Sequence, residues 1–134
     1  MPALAAAEYE AQLQQHFHGA QGAVPRFDLI LLGLGEDGHT ASLFLDSSAL
    51  NETRRLVATT YLEKLNAHRL TLTFPLINNA AQISFLVAGA SKAVIVKELL
   101  TTETHDYPAA RIAPENGQLT WFVTQDAADD LGVS

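Results

Sequence analysis

F-D-L-I-L-L-G-L-G-E-D-G-H-T-A-S-L-F, residues 27–44, is the stretch on which the fold turns. It opens as a short apolar run, 27–32, broken by one acid, Asp28, and closed by a glycine, the pattern of a buried strand. Gly33, Gly35 and Gly38 follow, with Asp37, His39, Thr40 and Ser42 among and after them. A buried strand that runs into a glycine-rich, polar turn is where an open parallel sheet places its ligand. Residues 39–44 read as one or two helical turns, soon broken by Asp46, Ser47 and Ser48.

Outward from that stretch, residues 3–17 are rich in helix formers and predict a helix that stops near Gly19. Strands are expected at 55–61 and 69–74, the second from its period-2 pattern R-L-T-L-T-F, and a short helix at 75–80 with Pro75 at its start. The run 83–88 is a second apolar strand. Gly89, Ala90 and Ser91 turn it into a helix over 92–100, with Ser91 as N-cap. A loop at 101–108, a last strand at 119–124 and a helical turn from Asp126 complete the pattern. Strands alternating with helices predict an α/β fold with an open, mostly parallel sheet and helices on both faces.

The composition excludes several classes. With 134 residues, 48% of them hydrophobic and 17% charged, the chain has the length and makeup of one globular domain. Eight Lys and Arg face fifteen Asp and Glu, a net charge of -7, which argues against nucleic acid as a partner. Two or three placed cations would still suffice for a small anion. There is no cysteine, so disulfides and thiolate metal sites are excluded. No apolar run reaches the ~20 residues that span a bilayer, and the N-terminus lacks the build of a signal peptide. The expectation is a cytoplasmic protein without membrane contact.

The residues 33–38 formally match the dinucleotide pattern G-x-G-x-x-G, but that pattern needs a full helix after its third glycine, and too little helix-compatible sequence follows here. A glycine turn serving only tight packing is the plainer alternative, and Asp37 and His39 in the same turn weigh against it. Imidazole accepts a proton near neutral pH, so His39 is a candidate to activate a water, with Asp37 orienting it. A histidine that only ties the loop together is the competing reading. His16, His18, His68 and His105 show no metal-ligand spacing, and no metal is expected. Lys92 stands at a helix start, where the dipole favours an anion such as phosphate; a solvated lysine covering the helix end is the plainer alternative. Arg69 begins a strand and is the second candidate for the same crevice, while Arg54 and Arg55 are adjacent, so at most one of them faces it.

Five blocks in order resemble the 6-phosphogluconolactonase family, which shares its fold with the glucosamine-6-phosphate deaminases. They are the 27–44 stretch, H-R-L-T-L-T-F-P-L-I-N-N-A, V-A-G-A-S-K-A, Y-P-A-A-R and L-T-W-F-V-T-Q-D-A-A. The resemblance implies hydrolysis of 6-phosphoglucono-δ-lactone to 6-phosphogluconate in the oxidative pentose phosphate pathway, without cofactor or metal. It implies His39 and Asp37 as catalytic groups, and Gly33, Gly35, Gly38, Thr40, Arg69 and Lys92 as substrate-binding ones. The partner is then a small phosphosugar lactone.

Two departures matter. Deaminases carry a glutamate five residues past the histidine, where this chain has Phe44, and lactonases usually follow that phenylalanine with a proline where this chain has Leu45. More important, the family's first half, with a G-G-S/T-P phosphate turn and an acidic-Glu-Arg segment, has no counterpart here. Residues 1–134 therefore read as a single partial domain, the second half of a lactonase-like one, with an exposed sheet edge and an uncovered apolar face prone to self-association or completion by the other half. A deaminase-like sugar-phosphate enzyme and a non-catalytic half-domain are the alternatives.

Overall fold

The computed structural model describes residues 1–18, 23–103 and 106–132. In chain order it contains α1 (Pro2–Phe17), β1 (Ile30–Leu32), β2 (Val57–Leu62), β3 (Ala67–Leu72), α2 (Phe74–Ile77), β4 (Gln82–Val87), α3 (Ala93–Thr101) and β5 (Gln118–Val123). Short 3₁₀ segments at Ser48–Asn51, Glu63–Leu65, Ala90–Lys92, Pro108–Arg111 and Asp126–Leu131 join or close these elements. No helix among the described residues is long and apolar enough to cross a membrane.

The α/β architecture with a parallel sheet is as expected. The strand order is β1-β4-β5, both pairings parallel, and β2 and β3 form a separate antiparallel hairpin. β4 takes the centre, with Ile83, Ser84, Phe85 and Val87 buried. One face of the sheet carries the core. Ile30, Leu32, Ile83, Phe85 and Val87 are buried there against Ile77 of α2, Ile95 and Val96 of α3, and Ala127. Phe85 and Trp121, opposite each other in the register, stack with centroids 4.0 Å apart and planes 11° apart.

Among the described residues the opposite face is bare, so helices cover one face of this sheet and not both as the alternation of elements predicts. Leu29, Leu31, Leu86 and Phe122 are 48%, 57%, 51% and 58% exposed, values that no stable sheet interior shows. The incomplete family pattern led to that expectation.

α1 packs on the hairpin. Ala6 and Leu13 bury against Leu56, Val57 and Leu76, and the Glu10 carboxylate accepts the N–H groups of Leu56 (2.9 Å) and Val57 (3.2 Å). Glu10 also lies 3.8 Å from Arg55 Nε.

Several boundaries differ from the expected ones, each for a local reason. β2 starts at Val57 and not at Arg55, because the N–H groups of Thr53, Arg54 and Arg55 all donate to the Glu52 carboxylate instead of a neighbouring strand. Ser91 is not the N-cap of α3, since the 3₁₀ turn Ala90–Lys92 intervenes and Lys92 takes the cap position without a side-chain bond. Residues 39–44 are not helical. The Thr40 hydroxyl donates to the Gly33 carbonyl (2.8 Å), Thr40 and Leu43 form an isolated antiparallel bridge, and Ala41 sits at φ 51. A hydroxyl that captures a backbone carbonyl competes with the helix at that point. Gly19 and His105 lie outside the described residues.

Candidate active site

The loop after β1 is built around a histidine and a carboxylate. His39 Nδ1 lies 2.5 Å from Asp37 Oδ1, and the same oxygen accepts the His39 backbone N–H at 3.1 Å. With Nδ1 turned to Asp37, the second ring nitrogen, Nε2, is the one left for other chemistry. The Phe44 ring covers one face of the imidazole, centroids 4.4 Å apart.

Two of the three glycines are required by geometry. A Cβ on Gly35 would stand 2.1 Å from His39 Nδ1 and 2.7 Å from Asp37 Oδ1, so the pair occupies the room that a side chain would fill. Gly38 has φ +83, and a Cβ there would meet Tyr107 Cδ1 at 2.4 Å. At Gly33 a Cβ would meet nothing within 4 Å.

The loop also satisfies its own backbone. Gly35 N–H donates to the His39 carbonyl, Gly38 N–H to the Gly35 carbonyl and Ala109 N–H to the Gly38 carbonyl, each at 2.9 Å. The N–H groups of Gly35, Gly38 and His39 are therefore already engaged, and Thr40 is buried with its hydroxyl on Gly33. Behind the loop, Tyr107 packs on Gly38 and its hydroxyl donates to the Glu98 carboxylate of α3. That bond holds the phenol above its usual pKa.

The second strand-to-helix turn comes to the same place. Lys92 Nζ donates to the Leu34 carbonyl at 2.6 Å, tying the turn after β4 to the loop after β1. The turn is itself braced from β5. Gly89, at φ +102, donates its N–H to Thr124 Oγ1 (3.1 Å), and the Thr124 hydroxyl donates to Asp126 Oδ1 (2.5 Å). The Thr124 bond is the main reason why the Asp126 carboxyl lies below its ordinary pKa.

Arg69 is placed differently. It stands opposite Thr60 in the hairpin and is exposed. Its strand does reach the end of that stretch, because Thr71, on the same strand face, accepts the Ser42 N–H at 3.2 Å. The structure thus brings together Asp37, His39, the glycines and Lys92, and leaves Arg69 on the neighbouring hairpin. Sequence reasoning gave no role at the site to Tyr107, Glu98, Thr124 or Asp126; Tyr107, Thr124 and Asp126 lie in the ordered blocks, and Glu98 lies outside them.

Burial pushes the Asp37 carboxyl up, but the hydrogen bonds from the His39 ring and backbone, with the charge of the ring, outweigh it and leave the pKa below 3.8. A depressed carboxylate pKa gives stability that is present above the unfolded value and lost as pH falls through the folded one. A carbon-13 NMR titration should therefore put the Asp37 midpoint below 3.8, and His39→Asn should move it upward. An Asp37 midpoint at or above the ordinary value would show that the pair is not formed in solution.

Comparison with known proteins follows the same lines. Residues 1–121 match the family model described as glucosamine-6-phosphate isomerases/6-phosphogluconolactonase. A protein of Synechocystis sp. named 6-phosphogluconolactonase is 47% identical over 125 residues, covering 92% of this chain and 51% of the relative. The crystal structure of the devB protein superposes with a TM-score of 0.89 at 34% identity, over 98% of this chain and 55% of that one. The 6-phosphogluconolactonase of Trypanosoma brucei gives a TM-score of 0.79 at 33% identity, over 94% and 52%. The chain spans about half the length of the curated relatives it matches.

Proposed function

Because this chain belongs to the glucosamine-6-phosphate isomerase/6-phosphogluconolactonase family, we propose that it carries the acid–base half of a site hydrolysing 6-phosphoglucono-δ-lactone to 6-phosphogluconate. The observation that carries the reading is the Asp37–His39 pair, seated over Gly35 at the end of β1 and linked through Leu34 to Lys92 at the end of β4. The names of the relatives support the same substrate.

Asp37 accepts the Nδ1 proton of His39, which fixes the tautomer and leaves the Nε2 lone pair to act as a base. Nε2 takes a proton from water, and the resulting hydroxide attacks the lactone carbonyl carbon. The tetrahedral intermediate collapses, the ring carbon–oxygen bond breaks, and the ring oxygen takes the proton back from the imidazolium. The product is the open-chain carboxylic acid, which ionises in water. The N–H groups of Gly35 and Gly38 serve the loop and not the oxyanion, since both have partners within it. Thr40 likewise holds the loop from below, whereas Gly33, with open space beside it, is the glycine a substrate can approach.

Lys92 binds the 6-phosphate. An ammonium has three donors, and only one is used on Leu34, so the others remain for an anion. A hydrogen bond to a charged group contributes ~1.5–3 kcal/mol, so Lys92→Ala should raise KM roughly tenfold to a hundredfold with a smaller effect on kcat. An unchanged KM removes Lys92 from the phosphate. Arg69, on the hairpin edge, is the second cation within this proposal, and Arg69→Ala should produce a smaller rise in KM than Lys92→Ala.

The experiment is an assay of acid release from the lactone above its spontaneous rate, by the chain alone and together with the half of the Synechocystis relative that it does not match. No release in either case rejects the reading. Ammonia released from glucosamine 6-phosphate would transfer the site to the deaminase branch. Phe44 speaks against that branch, because an apolar ring lies on His39 where deaminases carry a glutamate.

A further inference from the structure

Of the five asparagines in the chain, only Asn116 precedes a glycine. The pair forms the turn into β5, at the opposite end of the parallel sheet from the 33–38 loop. The fold enforces that glycine, because a Cβ on Gly117 would stand 2.5 Å from the carbonyl oxygens of both Ala80 and Ala81. The chain is fixed on either side. Glu115 N–H donates to the Asn78 carbonyl (3.1 Å) and Gln118 N–H to the Ala81 carbonyl (3.0 Å). Between them, the Gly117 N–H and the Asn116 side chain have no hydrogen-bond partner among the described residues, and both residues are exposed. The Asn116 carbonyl is engaged, accepting Arg26 Nη2 at 2.7 Å.

That carbonyl belongs to the same peptide group as the Gly117 nitrogen. A guanidinium on its oxygen favours loss of the N–H proton, because the charge of the resulting amidate rests largely on oxygen. The nitrogen can then attack the side-chain amide carbon of Asn116. A carbon–nitrogen bond forms, ammonia leaves with a proton from water, and a five-membered succinimide closes. Glycine puts no side chain in the way. Water opens the ring at either carbonyl. Opening at the side-chain carbonyl gives aspartate, and opening at the main-chain carbonyl gives isoaspartate, whose main chain runs through Cβ. In sum, one amide and one water become one carboxylate and one ammonium. Isoaspartate adds a methylene to the main chain between the two bonds that fix residues 115 and 118, so at least one of them or the Arg26 tie has to give.

We propose that Asn116 is a site of spontaneous deamidation, promoted by Arg26 on its carbonyl, and that the isoaspartyl product loosens the start of β5. Neither step needs the lactone site. The other asparagines are less suited. Asn78 donates to the Arg111 carbonyl and accepts the Ala113 N–H, Asn79 donates to the Val24 and Pro25 carbonyls, and Asn66 accepts the Tyr61 hydroxyl. Asn51 precedes a glutamate.

The test is to age the chain at neutral pH and follow the one-dalton gain by peptide mass spectrometry, with fragmentation that separates isoaspartate from aspartate. The expected result is conversion at Asn116 ahead of Asn51, Asn66, Asn78 and Asn79, with isoaspartate as a product. Arg26→Ala, at an exposed position, should slow it about threefold or more, and the difference should vanish in urea, where the Arg26 contact is gone. No conversion at Asn116, or earlier conversion at another asparagine, overturns the site. An Arg26→Ala chain that converts as fast as the parent or faster, or a difference that persists in urea, overturns the part given to Arg26. Asn116→Asp carries the same added charge without the extra methylene and is the control for the last step. The isoaspartyl chain should melt below Asn116→Asp, and equal melting temperatures overturn the loosening of β5.

Discussion

His39→Asn is expected to lower kcat for lactone hydrolysis by ~10²–10⁴-fold, the range that general base catalysis contributes, with KM nearly unchanged. Asparagine is the informative replacement because it is close in size to the part of imidazole nearest the backbone and still polar. It preserves the Asp37 neighbourhood and the packing on Phe44 better than alanine would. What it removes is the lone pair that takes a proton at neutral pH. The measurement is steady-state kinetics on the chain together with its completing half. A kcat within about threefold of the parent would show that His39 is not the base, whatever its geometry. A large loss in both kcat and folding stability would make His39 a loop-binding residue, the reading that the sequence left open.

Gly35→Ala is expected to remove nearly as much activity, although it touches no reacting atom. The added methyl would stand 2.1 Å from His39 Nδ1 and 2.7 Å from Asp37 Oδ1, well inside contact distance. Either the imidazole rotates away or the loop lifts, and in both cases the 2.5 Å bond is lost. The thermal midpoint should shift little, because Gly35 has no left-handed backbone requirement and the atoms its Cβ would meet first belong to the His39 and Asp37 side chains. A structural role alone would therefore not explain the result. The Asp37 titration gives an independent readout, since losing the His39 bonds should move its midpoint up from its depressed value. Gly33→Ala is the control, expected to leave both the titration and the thermal midpoint unchanged, because its Cβ meets nothing within 4 Å. If Gly35→Ala retains full kcat, the pair is not needed in the arrangement described.

The sheet was legible because its strands carry a strong signal. β1 and β4 are apolar runs ended by glycine, and a run of that kind has few alternatives in an α/β chain. The bare face was legible as well, from the missing half of a family pattern and not from periodicity: in 83–88, Leu86 looks as buried as Phe85 until the register is known. The turn after His39 was not legible. T-A-S-L-F is compatible with a helix by composition, and only the capture of the Gly33 carbonyl by Thr40 and the positive φ of Ala41 decide against it. The contact of Asp37 with His39 was legible because it is local in sequence. Contacts that depend on the tertiary fold were not. Nothing near Lys92 in sequence announces the Leu34 carbonyl, and nothing near Gly89 announces Thr124.

The strand order has a consequence for how the chain is made. β1 pairs with β4, yet the hairpin β2–β3 and α2 are all synthesised between them. At ~5–20 residues per second, Leu29 and Leu31 leave the ribosome seconds before their partner strand exists. The hairpin and α1 can form in that interval, because their contacts need nothing downstream of α2. The nascent chain thus carries a finished subassembly beside an apolar strand that still awaits β4, the stage at which chaperone capture or aggregation would compete with folding. Slowing translation between Leu72 and Gln82 should lengthen that stage, and speeding it should shorten it.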